Sequence, residues 1–205
     1  MAAKEHPLEA IQHYLPPGTA EDVIKWLHDY KIHLKIKRER KSILGDYRPA
    51  HQGKPHTISI NANLNTFHFF ITFLHELAHL INFLNHGRKV MPHGKEWKAV
   101  FALLLNKFHG KQIFPDDIQH ALQNSMRDLS ASTCSDPNLY KILRKYDEVT
   151  HTLMVEDMEI GDLFRTHEGR IFKILAKRRT RYECLDVKTA KKYLFPSIYE
   201  VYKEY

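Results

Sequence analysis

Phe67-His68-Phe69-Phe70-Ile71-Thr72-Phe73-Leu74-His75-Glu76-Leu77-Ala78-His79-Leu80-Ile81-Asn82-Phe83-Leu84 is the stretch on which the reading of this chain turns. Apolar residues occupy nearly every side of the helix this run predicts, the pattern of a helix buried in a core. Thr72, His75, Glu76, His79 and Asn82 recur at helical spacing and fall on one narrow stripe. An ordinary solvent-facing stripe carries Lys, Arg and Glu instead. Unpaired buried polar groups cost roughly 1–3 kcal/mol each, so this stripe needs a reason. His75 and His79, four residues apart, stand one above the other, and two imidazoles so placed can reach a single zinc ion. Glu76 lies beside them, where a carboxylate can take a proton from water.

A catalytic zinc needs a third protein ligand and an open position. His86 is two turns past His79, roughly 10 Å along the axis, and is too far to share the ion. Asn82 and Asn85 stand where the longer HExxHxxGxxH signature needs Gly and His, so that pattern is absent. Two residues remain, Glu96 and His93. His93 is the better placed, because Gly87 to Pro92 can turn the chain back and His93-Gly94 then opens the next helix beside the first.

Outward from this core, Leu8 to Leu15 predicts a short helix ended by Pro16-Pro17-Gly18. Thr19 offers an N-cap for a second helix through Tyr30. Ile32 to Lys37 alternates apolar and polar residues, the period of a half-buried strand. Ser42 to Tyr47 and Thr57 to Ile60 are further strands, and Asn61 to Asn65 is a turn leading into the long helix, which runs to about Asn85. Lys95 to Phe108, Pro115 to Met126 and Asn138 to Tyr146 read as helices. Beyond Val149 the text becomes strand-length runs. The expected architecture is α+β: a core over residues 1–127, a linker with a short helix over 128–148, and a small β subdomain over 149–205.

Composition agrees with one sizeable core and a small appendage. The chain has 205 residues, 43% hydrophobic and 27% charged. Cys134 and Cys184 cannot build a disulfide framework, and they suit a reducing compartment. Met-Ala-Ala-Lys-Glu-His-Pro has no apolar region of a secretory leader. The polar groups on the long helix exclude a lipid-facing span. A cytoplasmic protein without membrane contact is expected. No Gly-rich phosphate loop occurs, so no nucleotide cofactor is expected either.

The net charge of +7 is unevenly distributed. Lys31 to Lys54 holds eight Lys/Arg against two acids, Arg170 to Lys192 nine against two, and Glu156 to Glu168 five acids against one Arg. Basic blocks favour polyanions, because each neutralised phosphate releases a counterion. They also occur as plain solvated strand faces. The candidate nucleic-acid-binding residues are Lys35, Lys37, Arg38 and Arg40 in the first block and Arg178, Arg179 and Arg181 in the second.

The paired motifs His75-Glu76-Leu77-Ala78-His79 and Pro92-His93-Gly94-Lys95-Glu96-Trp97 resemble those of the SprT-like zinc metalloproteases, the group that includes Spartan. Asn61 after a short strand, leading into the long helix, is similar too. The resemblance covers roughly residues 20–110. It implies a zincin-like core with one zinc ion on His75, His79 and His93, and Glu76 as general base. It further implies proteolysis of proteins crosslinked to DNA, a crosslink-repair role stimulated by DNA. Many relatives end in a zinc ribbon with two CxxC pairs. Here Tyr182-Glu183-Cys184-Leu185-Asp186-Val187 keeps one cysteine of such a pair, so the tail resembles a ribbon that has lost its metal. Two other readings stay open: a non-proteolytic nucleic-acid-binding protein with structural zinc, and a general metallopeptidase with no DNA role. The oxyanion-stabilising residue is not legible; Tyr47, His51 and His56 are candidates by proximity in sequence.

Overall fold

Ile32, Leu34 and Ile36 alternate with polar residues, and that alternation becomes strand β1 (Ile32–Lys37) of a three-stranded sheet. A computed structural model of the chain describes residues 10–40, 43–108, 110–127, 136–148 and 151–205. The expected start of the first helix at Leu8, the start of the second strand at Ser42, and residues 128–135 of the linker, Cys134 among them, lie outside these residues. Strand β2 (Gly45–Arg48) forms one edge of the sheet, β3 (His56–Asn61) its centre and β1 the other edge. β3 runs parallel to β1 and antiparallel to β2.

Register sorts the residues by face. Leu34 pairs with Ile58 and Ile36 with Ile60, while Tyr47 pairs with Ile58 and Gly45 with Ile60. That face packs on helix α2 (Thr66–His86). The opposite face carries Lys35 beside Ser59 and Lys37 beside Asn61. Burying the apolar face contributes roughly 1.5–3 kcal/mol for each large side chain removed from water.

Helix α2 begins at Asn65, whose side chain accepts the N–H of His68 at 2.9 Å. The Asn65 amide also donates to the Leu143 carbonyl at 2.9 Å and to Asp147 Oδ1 at 2.6 Å. The helix stops at Gly87, where φ is +62°, a value that favours glycine, and the Gly87 N–H reaches the Phe83 carbonyl. Phe69, Phe70, Phe73, Leu74, Leu77, Ala78 and Leu80 are fully buried. By length and composition α2 is long and apolar enough to cross a membrane, but 72% of its most apolar window is buried inside the fold. The other helices of this unit are α1 (Ala20–Asp29), α3 (Lys95–Asn106), α4 (Asp116–Arg127) and α5 (Pro137–Arg144).

Two local expectations change. Thr19 does not cap α1: its backbone is helical, and its hydroxyl donates to the Pro16 carbonyl at 2.7 Å, tying the Pro-Pro-Gly turn to the helix start. Leu8 to Leu15 yields only a 3-10 turn over Ile11–Tyr14 among the described residues. Helix α5, the short helix expected within residues 128–148, buries Leu139 and Leu143 in the same core as Phe69 and Trp97.

The chain divides into two compact units, residues 1–147 and 148–205. The second is a six-stranded antiparallel sheet in the order β4-β9-β5-β6-β7-β8, formed by Leu153–Met154, Glu200–Glu204, Leu163–Arg165, Ile171–Lys177, Arg181–Asp186 and Lys192–Pro196 respectively. Val155, Phe164, Phe172, Ile174, Tyr182, Cys184 and Val201 are in its own core. The ribbon likeness finds no support here. Cys184 is fully buried between Ile174 and Tyr193 on the neighbouring strands, whereas Val187, at the place of a second cysteine, is 56% exposed. Burial pushes the Cys184 thiol up to about 11, as befits an inert core thiol.

Asp186 fastens the β7–β8 turn. It accepts the N–H groups of Lys188 and Thr189, each at 2.9 Å, and the Arg170 guanidinium. Arg170, followed by the Thr189 N–H, holds the Asp186 carboxyl down at about 2. A carboxylate depressed in the folded state stabilises it above the unfolded value of about 4, and that contribution is lost as pH falls through about 2. Asp186→Asn is therefore expected to lower the melting temperature near neutral pH and to make it less sensitive to acid between about pH 4 and 2. Melts of the full chain with identical acid dependence for both proteins would contradict this.

Candidate metal centre

One turn of α2 separates His75 from His79, and their Nε2 atoms lie 3.1 Å apart. After Gly87 the chain doubles back through Met91–Gly94, a turn closed by the Gly94 N–H on the Met91 carbonyl at 3.0 Å. This return brings His93 Nε2 to 3.0 Å from His79 Nε2 and 3.1 Å from His75 Nε2. His75 is buried, His79 half-buried and His93 exposed, so the cluster opens on one side. Trp97, on the first turn of α3, lies against all three rings, with centroids at 4.6, 5.3 and 4.8 Å from His75, His79 and His93. Trp97 itself stacks on Phe101 at 5.1 Å. Among the described residues Glu96 is outside the cluster, and its carboxylate lies 4.0 Å from the Lys95 ammonium.

Burial, with His79 and His93 adding to it, pushes His75 down to about 2. Burial followed by His93 pushes His79 down to about 4, and burial followed by Lys98 lowers His93. The three imidazoles are therefore neutral at physiological pH and offer lone pairs. Three neutral rings at this spacing set lone pairs or N–H groups against one another, and among the described residues His75 Nδ1 is buried without a hydrogen-bond partner. A divalent ion among the three nitrogens would turn that opposition into coordination. Zinc–nitrogen bonds of roughly 2.0–2.1 Å at tetrahedral angles place ligand nitrogens about 3.3 Å apart, slightly wider than observed. The residues fit a metal ion.

Glu76 follows His75 directly and is 7% exposed. Its carboxylate accepts the backbone N–H of Tyr47 on β2. Burial, reinforced by Asp46, pushes the carboxyl up to about 8, opposed by the Tyr47 N–H and by Arg40. A cation on the neighbouring imidazoles acts in the same sense as those opposing groups, favouring the carboxylate. The unit thus joins three nitrogen donors to a desolvated carboxyl group on the same helix as two of them.

The SprT-like family profile matches residues 19–120. Residues 19–120 belong to the SprT-like family. No curated protein and no solved structure matches it. The SprT-like match spans both histidine motifs and the β1–β3 sheet, and it ends inside α4.

The structure brings together His75, His79 and His93, with Glu76 next to His75 in the chain, and it places the basic candidates of the SprT-like unit on β1 and just beyond it. Lys35 and Lys37 are on β1, on the sheet face away from α2, with Arg38 exposed beyond them. Arg40 is committed elsewhere. Its guanidinium donates to Asn61 Oδ1 at 2.8 Å, to Ser59 Oγ at 2.9 Å, and to the Ser59 and Leu44 carbonyls. This bracket closes the loop onto β3 and leaves Arg40 little to offer a phosphate. In the second unit Arg178 pairs with Glu183, while Arg179 and Arg181 are exposed around the β6–β7 turn.

Of the three oxyanion candidates, Tyr47 and His56 pair with one another. The Tyr47 hydroxyl lies 3.0 Å from His56 Nδ1, an atom that also accepts the Ala50 N–H. His51 is exposed in a backbone bridge with Lys54. Sequence reasoning missed the part played by β2: the Tyr47 N–H on Glu76, and Gly45 beside it. Only a long-range contact reveals these, so no local pattern signalled them.

Proposed function

We propose that this protein is a zinc-dependent endopeptidase acting on DNA-bound or DNA-crosslinked proteins. The observation that carries the proposal is the convergence of three Nε2 atoms, two of them from the helix that also holds the buried Glu76. Bound by His75, His79 and His93, zinc supplies a Lewis acid that makes water acidic near neutral pH and polarises a carbonyl. Glu76 accepts the proton of the attacking water at its carboxylate and gives it to the departing amide nitrogen as the C–N bond breaks. The Tyr47 N–H orients that carboxylate, and Trp97 backs the three rings so that they keep their directions. The exposed side at His93 admits an extended peptide.

Support for a DNA partner comes from the resemblance to DNA-stimulated relatives and from the exposed Lys37, Arg38, Arg179 and Arg181. The test is cleavage of casein and of a protein crosslinked to single-stranded DNA, by zinc-loaded protein with and without added DNA. Glu substitutions at Lys37, Arg38, Arg179 and Arg181 are expected to weaken single-strand binding, and each lost phosphate contact to flatten its salt slope by about 0.7. Unchanged binding would return these residues to ordinary surface. Cleavage indifferent to DNA would leave a general metallopeptidase. Zinc binding and DNA binding without cleavage would favour the non-proteolytic reading.

A further inference from the structure

Gly45 is an ordinary strand residue by conformation. It lies in β2 opposite Ile60, and its φ is outside the left-handed region that favours glycine. A larger residue could adopt this backbone without strain. Space forbids it. A Cβ at position 45 would lie 2.7 Å from Thr72 Cγ2, 2.9 Å from Glu76 Oε1 and 3.0 Å from Glu76 Cγ. These are closer than side chains tolerate.

The neighbours differ in their freedom to yield. Thr72 is β-branched, on a helix and fully buried, so its methyl has few rotamers to retreat into. Glu76 is unbranched and ends in a carboxylate that turns easily. Among the described residues β2 is an edge strand, and from it the Tyr47 N–H reaches the same carboxylate. One short strand thus meets Glu76 twice, by a hydrogen bond from residue 47 and by a missing side chain at residue 45.

We propose that Gly45 is a positioning residue for Glu76: the slot left by its absent side chain lets β2 close on the Glu76 carboxylate and fix its direction beside the three imidazoles. The role rests on the hydrolase reading for its consequence in catalysis, but not for its geometry. Any side chain at position 45 turns the carboxylate aside or lifts β2 and breaks the Tyr47 hydrogen bond. His75, His79 and His93 are untouched by either change.

The test is Gly45→Ala, read first in metal-free protein by the 13C resonance of the Glu76 carboxyl, assigned by its loss in Glu76→Gln. That resonance is expected to move. In zinc-loaded protein kcat is expected to fall about 10–100-fold, with KM and the zinc stoichiometry unchanged, because small misplacements of a reacting group cost rates of this order. Gly45→Ala in a Thr72→Ala background, compared with Thr72→Ala alone, removes the methyl clash and keeps the one with Glu76. A moved resonance and a persisting rate loss in that pair support positioning, even where Gly45→Ala alone does not fold. An unmoved resonance with restored kcat overturns it and makes Gly45 a packing residue for Thr72. A wild-type protein with no hydrolysis refutes the hydrolase reading, while the resonance still decides the geometric claim.

Discussion

His93→Ala is expected to lower zinc affinity by at least about 100-fold, the upper range for losing a mere supporting contact of a metal site, while Glu96→Ala leaves it unchanged. The expectation follows from three Nε2 atoms within 3.1 Å of one another, a cluster that excludes the Glu96 carboxylate. His93 is exposed on a turn, so its removal leaves the core of the SprT-like unit intact. Zinc competition against a chromophoric chelator, with circular dichroism as a check on folding, measures the difference. Loss of zinc in Glu96→Ala and retention in His93→Ala would move the third ligand and break the account of the site.

The second large effect is expected from Glu76→Gln. A positioned general base contributes about 10²–10⁴-fold to a rate, and the amide keeps the shape of the side chain while removing its capacity to take a proton. Zinc should still bind at one equivalent, since the substitution leaves all three imidazoles in place. Burial holds the Glu76 carboxyl up at about 8, so in metal-free protein near neutral pH the amide replaces a largely protonated group and the fold should be no less stable. Hydrolysis persisting at more than about a tenth of the wild-type rate would assign the base elsewhere. Loss of zinc together with activity would make Glu76 a structural support of the metal instead.

Much of this site was readable from local pattern. The i, i+4 spacing of His75 and His79 within an apolar run specified a buried helix with two inward imidazoles. The Gly87–Pro92 segment announced a chain reversal, which is why His93 could be preferred over Glu96. Alternation at Ile32, Leu34 and Ile36 likewise marked β1 and its buried face. What escaped depends on partners far apart in sequence. Arg40 looks like one more cation in a basic block until Ser59 and Asn61, about twenty residues on, take up its guanidinium. Gly45 falls inside an expected strand with nothing local to mark it, yet its neighbours are Thr72 and Glu76 across the sheet–helix interface. Thr19 has the chemistry of a cap, but a carbonyl three residues back competes for its hydroxyl. Cys184 and Val187 invite comparison with a metal knuckle by spacing alone, whereas strand register buries Cys184 and Val187 falls exposed just past the end of β7.

Titration of zinc into metal-free protein, with casein cleavage followed at each addition, tests the central claim most directly. The account predicts that cleavage rises with zinc, reaches its plateau at one equivalent, and is absent from Glu76→Gln at every point of the titration. Cleavage that ignores zinc, or a protein that takes up no zinc at neutral pH, would contradict it.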